Sequence, residues 1–334
     1  MKKFLVIQTA FTGDVVLATA LIEKLHRFFP LAQIDFLVRK GNEELLKDHP
    51  FLHKILIWNK KEHKNKNLIT LLQKIRKERY DTVINLQRFV PTGILTAFSG
   101  ARERIGFDKN PLSFLFTKKV PHELSKNMHE VERNNLLIKH FTDESFMKPR
   151  LFPIEGNYQE AKSYLLNQSL SQPYVCMMPA SVWFTKQYPM EKWIELINIF
   201  PNQYAIYLLG GKEDVSLCEE IKKKSANRNV DTLAGKLSFL SSAALMKGAA
   251  MNYTNDSAPL HFASAMDAPV TAIFCSTVPA FGFYPLSSRS FIVETEENLP
   301  CRPCSLHGQK ACPLGHFKCG YSIKTSQLLN SLVT

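Results

Sequence analysis

Several segments of the chain combine residue types that could do chemistry, each where an apolar run gives way to a turn and then to a helical pattern. Thr12-Gly13-Asp14-Val15-Val16-Leu17 places a carboxylate just after the run Phe4–Ile7. A carboxylate there can take a proton from a substrate hydroxyl. It can equally cap the following helix, a role worth about 1 kcal/mol, and a helix N-terminus favours the ionised form, which weakens it as a base. Both readings stay open on spacing alone. Asn255-Asp256-Ser257-Ala258-Pro259-Leu260-His261 opens a second helix, with Pro259 at an early helical position. The amides of Ser257 and Ala258, the Ser257 hydroxyl and the positive end of the helix dipole suit a diphosphate. The alternative is capping by Asn255 or Asp256.

A third segment, Pro179-Ala180-Ser181-Val182-Trp183-Phe184-Thr185-Lys186-Gln187-Tyr188-Pro189, follows an apolar strand pattern. Lys186 there could neutralise a departing phosphate, or be an ordinary solvated lysine. In Leu209-Gly210-Gly211-Lys212-Glu213-Asp214, Gly211 permits close approach of a ligand and Glu213 offers a carboxylate for ribose hydroxyls, although paired glycines also make plain turns. Neither a Gly-x-Gly-x-x-Gly fingerprint after the first strand nor a Gly-rich Lys-Ser/Thr phosphate loop is present, which argues against NAD enzymes and ATPases. Cys301, Cys304, Cys312 and Cys319 cluster near the C-terminus with His307 and His316 among them. The first pair has zinc-knuckle spacing but the second half lacks a tight pair, so a structural zinc and plain reduced thiols both remain open. Cys176, Cys218 and Cys275 lie in apolar runs and read as buried reduced thiols, consistent with a cytoplasmic location.

The elements that must position these residues alternate. Strand patterns at 3–8, 33–38 and 82–86 are interleaved with helical patterns at 15–29 and 68–79. The pattern restarts with strands at 174–178, 204–209, 249–254 and 270–274 and helices at 191–199, 240–247 and 260–266. Two such series predict an α/β protein with two Rossmann-like domains, each a parallel sheet flanked by helices. The stretch 148–173 holds Pro149, Pro153, Gly156 and Pro173 around a helix at 158–167, so the expected domains are 1–155 and 156–334. Ligands of open α/β sheets bind beyond the carboxyl ends of the strands, which puts the expected active site in a cleft that the two domains face.

With 334 residues, 45% of them apolar, the chain can form more than one large core. No apolar stretch reaches the roughly 18 to 20 residues that span a bilayer. The net charge of +12 sits mostly in the first half, where 28 Lys and Arg stand against 18 Asp and Glu up to residue 165. Such a basic half suits an anionic partner: nucleic acid, a membrane surface or a phosphorylated lipid. The bland alternative makes Lys60, Lys61, Lys64 and Lys66 a solvated loop.

Taken in order, these motifs resemble the lipopolysaccharide heptosyltransferases, the family 9 glycosyltransferases, over nearly the whole chain. The matching segments are Thr12–Thr19, Tyr80–Gln87, Arg104–Phe107, His129–Arg133, Pro179–Pro189, Asn255–His261 and the cysteine-rich tail. The resemblance implies a fold of GT-B type and inverting transfer with no catalytic metal and no cofactor. It implies ADP-heptose as donor and an anionic glycolipid of the Kdo-lipid A type as acceptor. By the same resemblance Asp14 is the general base, with Thr12 and Gly13 beside the reacting groups. Ser181, Lys186, Ser257 and Ala258 hold the diphosphate, and Asp256 and His261 lie at the donor sugar or phosphate. A monomer working in the cytoplasm, at the periphery of the inner membrane and without nucleic acid, is expected.

The chain departs from the family pattern at Ala180 and Ala258, where glycine is common, and at Gln187-Tyr188, which replace Arg-Trp. A Cβ at residue 258 narrows the approach of phosphate, and a positive φ there would cost of order 1 kcal/mol. Two other readings remain: a nucleotide-sugar transferase or epimerase of the same fold with another donor, and a zinc-containing nucleic-acid-binding protein, which lacks any recognition motif.

Overall fold

The computed structural model describes residues 1–123, 128–165 and 172–333, and the chain divides into two compact units between Phe152 and Pro153. The first unit contains β1 (Lys3–Ile7), α1 (Thr12–Phe28), β2 (Gln33–Arg39), β3 (Lys54–Trp58), α2 (Lys64–Glu78), β4 (Thr82–Asn85), α3 (Val90–Ala97), β5 (Glu103–Phe107), β6 (Lys118–Val120) and α4 (Glu130–Leu136). Its six strands are ordered β3-β2-β1-β4-β5-β6, and every pairing is parallel. Leu5, Ile7, Leu37, Val83, Ile75 and Leu95 are buried together, which is why the central strands read as continuous apolar runs.

The second unit contains α5 (Glu155–Ser163), β7 (Tyr174–Met178), α6 (Met190–Ile199), β8 (Ala205–Leu208), α7 (Val215–Lys224), β9 (Val230–Thr232), α8 (Phe239–Gly248), β10 (Met251–Asn255), α9 (Ala258–Met266), β11 (Val270–Phe274), β12 (Ser290–Glu294), α10 (Lys318–Tyr321) and α11 (Thr325–Val333). Its strands run β12-β11-β10-β7-β8-β9, again all parallel. The part of the helix expected at 158–167 that falls on residues 166 and 167 lies outside the described residues.

Both sheets have the doubly wound order in which the first and fourth strands are neighbours at the centre. The connections leave those strands in opposite directions, so a crevice opens at their carboxyl ends. In the first unit this point lies after β1 and β4; in the second it lies after β7 and β10. Asp14 follows β1, Lys186 follows β7, and Asp256 follows β10 directly.

Helix α1 begins earlier than its apolar periodicity implies. Phe11, extended at φ −70° and ψ 164°, is the N-cap and makes no side-chain cap bond. Asp14 is therefore the third residue inside α1 and not its N-cap residue. Among the described residues no helix is long and apolar enough to cross a membrane.

Candidate active site

The second unit carries the more fully assembled site. Asn255, the last residue of β10, is completely buried. Its Nδ2 donates to the carbonyl of Pro179 at 2.8 Å, with those of Met178 and Ala180 at 3.3 and 3.4 Å, while its Oδ1 accepts from the Tyr188 amide at 2.8 Å. One side chain thus fixes both ends of the loop after β7. Gln187 adds a bond from Nε2 to the Ser181 carbonyl at 2.6 Å.

A single 3-10 turn over Phe184–Lys186 brings Lys186 Nζ to 2.7 Å from Asp256 Oδ2. The two side chains are only 15% and 7% exposed, so Lys186 is a buried ion-pair partner and not a solvated loop lysine. The hydroxyl of Thr277 donates to the same carboxylate oxygen at 2.7 Å. Helix α9 starts beside them, with Ser257 as an extended N-cap (φ −151°, ψ 179°) and Pro259 in the first turn.

Neither Asn255 nor Asp256 caps that helix. The Ser257 hydroxyl lies 3.4 Å from the Asn255 carbonyl and makes no side-chain cap. Ala258 is not among the described non-glycine residues of positive φ, so the backbone penalty considered for alanine there does not arise. First-turn amides have no partner within their own helix, which together with a lysine gives a place for an anion.

His261, one turn into α9, is buried, and its Nδ1 has no hydrogen-bond partner. Burial, reinforced by the charge on Lys186, pushes its pKa down to about 3. It is a neutral imidazole at physiological pH, able to hydrogen-bond a ligand but not to supply positive charge.

The turn after β8 is built by Asp214. Its carboxylate accepts from the Gly211 amide at 2.8 Å, and a Cβ on Gly210 would come within 2.6 Å of Asp214 Cβ. Glu213 is exposed beside it.

In the first unit, Gln8 and Asn42 hold the turn after β1. Gln8 Oε1 accepts from the Ala10 amide at 3.3 Å and also from Gln87 Nε2. Asn42 Nδ2 donates to the Ala10 carbonyl at 3.2 Å, and its Oδ1 accepts from Thr12 Oγ1 at 3.1 Å. Gly13 is buried and Asp14 half-buried. The Arg39 guanidinium lies 5.3 Å over the Phe11 ring; burial lowers its pKa and the nearby Asp14 carboxylate opposes that shift.

Lys60 separates from the exposed Lys61, Lys64 and Lys66. Its Nζ donates to the carbonyl and hydroxyl of Thr9 at 2.7 and 3.0 Å and lies 4.7 Å over Trp58. Burial, then the charges of Arg39 and Lys64, lower its pKa to about 8. The first unit therefore sets a carboxylate among cations at the switch point of its sheet.

All seven cysteines are free thiols. Burial raises the pKa values of Cys176, Cys218 and Cys275, as expected for thiols in apolar runs. Among the described residues no group of three or more His, Cys, Asp or Glu side chains is placed to hold a metal ion.

Asn255 and Thr277 organise this site, yet only Asn255 lies in a motif visible in the sequence, and there it reads as a cap. Thr277 carries no local signal, because its partner Asp256 is reached only through the sheet.

The sequence profile of glycosyltransferase family 9 (heptosyltransferase) matches residues 68–312. Lipopolysaccharide heptosyltransferase 3 of Escherichia coli is 27% identical over 277 residues, covering 80% of this chain and 82% of the relative. Lipooligosaccharide heptosyltransferase 2 of Campylobacter jejuni is 26% identical over 334 residues, covering 98% and 96%. In three dimensions, E. coli ADP-heptose lps heptosyltransferase II superposes with a TM-score of 0.83 at 20% identity, covering all of this chain and 98% of the other. A family 9 glycosyl transferase from Veillonella parvula gives a TM-score of 0.86 at 20% identity, covering 99% and 97%. These structural likenesses establish the fold as GT-B type. The profile match spans most of the chain and includes the Lys186 loop, Asp256 and the start of α9, so the chain belongs to glycosyltransferase family 9, the heptosyltransferase family, and is a glycosyltransferase.

Proposed function

We propose that the chain transfers a heptose from ADP-L-glycero-D-manno-heptose to the inner core of a lipopolysaccharide or lipooligosaccharide, with inversion and without a catalytic metal or cofactor. The observation that carries this reading is the buried Lys186–Asp256 pair at the switch point of the second sheet, beside the first turn of α9. In the transfer, the bond from the sugar's anomeric carbon to the diphosphate breaks as the bond to the acceptor oxygen forms. ADP leaves with the added negative charge, and the acceptor hydroxyl gives up its proton.

Lys186 and the α9 amides, with Ser181, Ser257 and Ala258, supply the positive field that a departing diphosphate needs. Asp256 can accept from a hydroxyl of the sugar, the neutral His261 offers a hydrogen bond to the sugar or phosphate, and Gly211 and Glu213 border the ribose. Asp14 takes the acceptor proton, with Thr12 and Gly13 beside it. An aspartate at a helix N-terminus is a weak base, but the acceptor hydroxyl becomes acidic only as it bonds to an electron-poor anomeric carbon, which lowers the demand on it.

Residues 1–155 serve the acceptor and 156–334 the donor in this reading. The cations Arg39 and Lys60 favour a phosphorylated or carboxylated glycolipid, and in this reading the enzyme works as a monomer at the cytoplasmic face of the inner membrane.

Thermal unfolding in the presence of ADP, UDP and GDP sugars tests the donor. A ligand of the folded state at 100 times its dissociation constant adds about 2.7 kcal/mol. ADP sugars should stabilise the chain; stabilisation by UDP sugars alone contradicts the donor, and nucleotide release without an acceptor marks an epimerase instead.

A further inference from the structure

The cysteine-rich tail, to which the proposed function gives no task, packs against both loops of the donor site. The side chain of Arg302 is 11% exposed. Its Nε donates to the Cys275 carbonyl at 2.6 Å, and its Nη2 lies 3.1, 2.7 and 2.6 Å from the carbonyls of Phe274 and Thr277 and the carboxylate of Glu294. A single guanidinium so gathers the chain as it leaves β11 and fixes the backbone of Thr277. The Thr277 hydroxyl, itself buried, then donates to Asp256.

A second set of bonds reaches the Lys186 loop. The Thr185 amide donates to the Gln309 carbonyl at 3.1 Å, and the Gln309 amide returns a bond to Thr185 Oγ1 at 2.8 Å. Ser276 joins them: its hydroxyl donates to Thr185 Oγ1 at 2.9 Å, and its carbonyl accepts from the Cys304 amide at 3.1 Å. The neighbour of Lys186 is thus held from β11 on one side and from the tail on the other.

We infer that Thr277 and Arg302 are positioning residues for the donor diphosphate: through Asp256 they set where the Lys186 ammonium stands, with the tail as the brace. This rests on the donor-site reading given above. Apart from Lys186 itself, the Thr277 hydroxyl is the side-chain donor observed on the Asp256 carboxylate, so it sets the orientation in which that carboxylate meets the lysine. With the hydroxyl removed, Asp256 turns about its own side chain and Lys186 follows it. A site whose supporting contacts are lost binds its ligand in a looser geometry even though every contacting group is present.

Calorimetric titration of ADP into the whole chain tests this, together with KM for donor and acceptor. Thr277→Val keeps the shape and removes the donor, Thr277→Ser keeps the hydroxyl, and Arg302→Lys keeps the charge but not the fork. Thr277→Val and Arg302→Lys should each weaken ADP about tenfold and raise donor KM in step, as expected for a buried hydrogen bond to a charged group. Thr277→Ser should stay within about twofold of the parent, and acceptor KM should not move. ADP bound by Thr277→Val as tightly as by the parent overturns the inference. So does a Thr277→Ser as weak as Thr277→Val, because that is a packing effect. Failure of the unsubstituted chain to bind ADP overturns the donor site itself and takes this inference with it, an outcome read before any variant is compared.

Discussion

Replacing Lys186 by methionine removes the cation and keeps most of the side-chain volume. Asp256 is then left as a buried carboxylate whose remaining observed side-chain donor is the Thr277 hydroxyl. Breaking a buried pair from one side typically costs about 3–5 kcal/mol, because the remaining charge is desolvated without compensation. The Thr277 bond puts the expected cost near the lower limit, about 3 kcal/mol. For a domain of this size about 2–4 °C is lost per kcal/mol, so the melting temperature of the second unit should fall by about 6–12 °C. Thermal unfolding followed by circular dichroism at pH 7 measures it. The double variant Lys186→Met/Asp256→Asn, which removes the stranded charge, should regain most of the loss. A Lys186→Met variant that melts within about 1 °C of the parent would mean that the pair behaves as a surface bridge worth little.

Two further outcomes follow from the same geometry. Gly308 has φ +80°, and a Cβ there would come within 2.8 Å of Lys186 Cγ and 3.0 Å of Trp183 Cβ. Gly308→Ala should therefore cost of order 1 kcal/mol in backbone strain and raise donor KM several-fold; steady-state kinetics showing an unchanged donor KM would be incompatible with that contact. Lys60, lowered from 10.5 to about 8, is charged at pH 7 and loses its proton as pH climbs past 8. The unfolded lysine keeps its proton up to about 10.5, so the folded state carries the cost of the buried charge below pH 8, and that cost is relieved between pH 8 and 10.5. Affinity for an anionic acceptor should fall over the same rise, and Lys60→Arg should remove that limb from the pH profile of acceptor KM. A profile flat from about pH 7 to 9.5 in the parent chain would separate Lys60 from the acceptor.

The alternation of strands and helices is legible because central parallel strands are buried on both faces. Tyr174–Met178 and Val270–Phe274 read as apolar runs with the bounds that the structure gives them. The edge strands β3, β6, β9 and β12 do not stand out. Covered on fewer sides, they carry polar or charged residues such as Lys54, Lys118, Lys119, Asp231 and Glu294, which break the pattern. Helix α1 starts three residues before its apolar stripe because Gly13, a poor helix former, is buried at its second position, where no side chain is needed.

The site residues themselves are visible as types at strand ends, but their partners are not. Nothing near Lys186 in the chain announces that a carboxylate seventy residues away pairs with it. That pairing is made by β7 and β10 lying side by side. Asn255 and Asp256 look like helix caps in a linear text. One proves to be the stitch that holds the loop after β7, and the other its ion-pair partner.

In the proposed transfer, Asp14 removes the acceptor proton while the second unit holds the nucleotide sugar. The most direct measurement is transfer of heptose from ADP-heptose to a Kdo-lipid A acceptor by the parent chain and by Asp14→Asn, with ADP affinity measured on both. A general base contributes about 10²–10⁴-fold, so the variant should lose at least about a hundredfold in kcat while binding ADP as the parent does. Undiminished transfer by Asp14→Asn would remove Asp14 from the role of base.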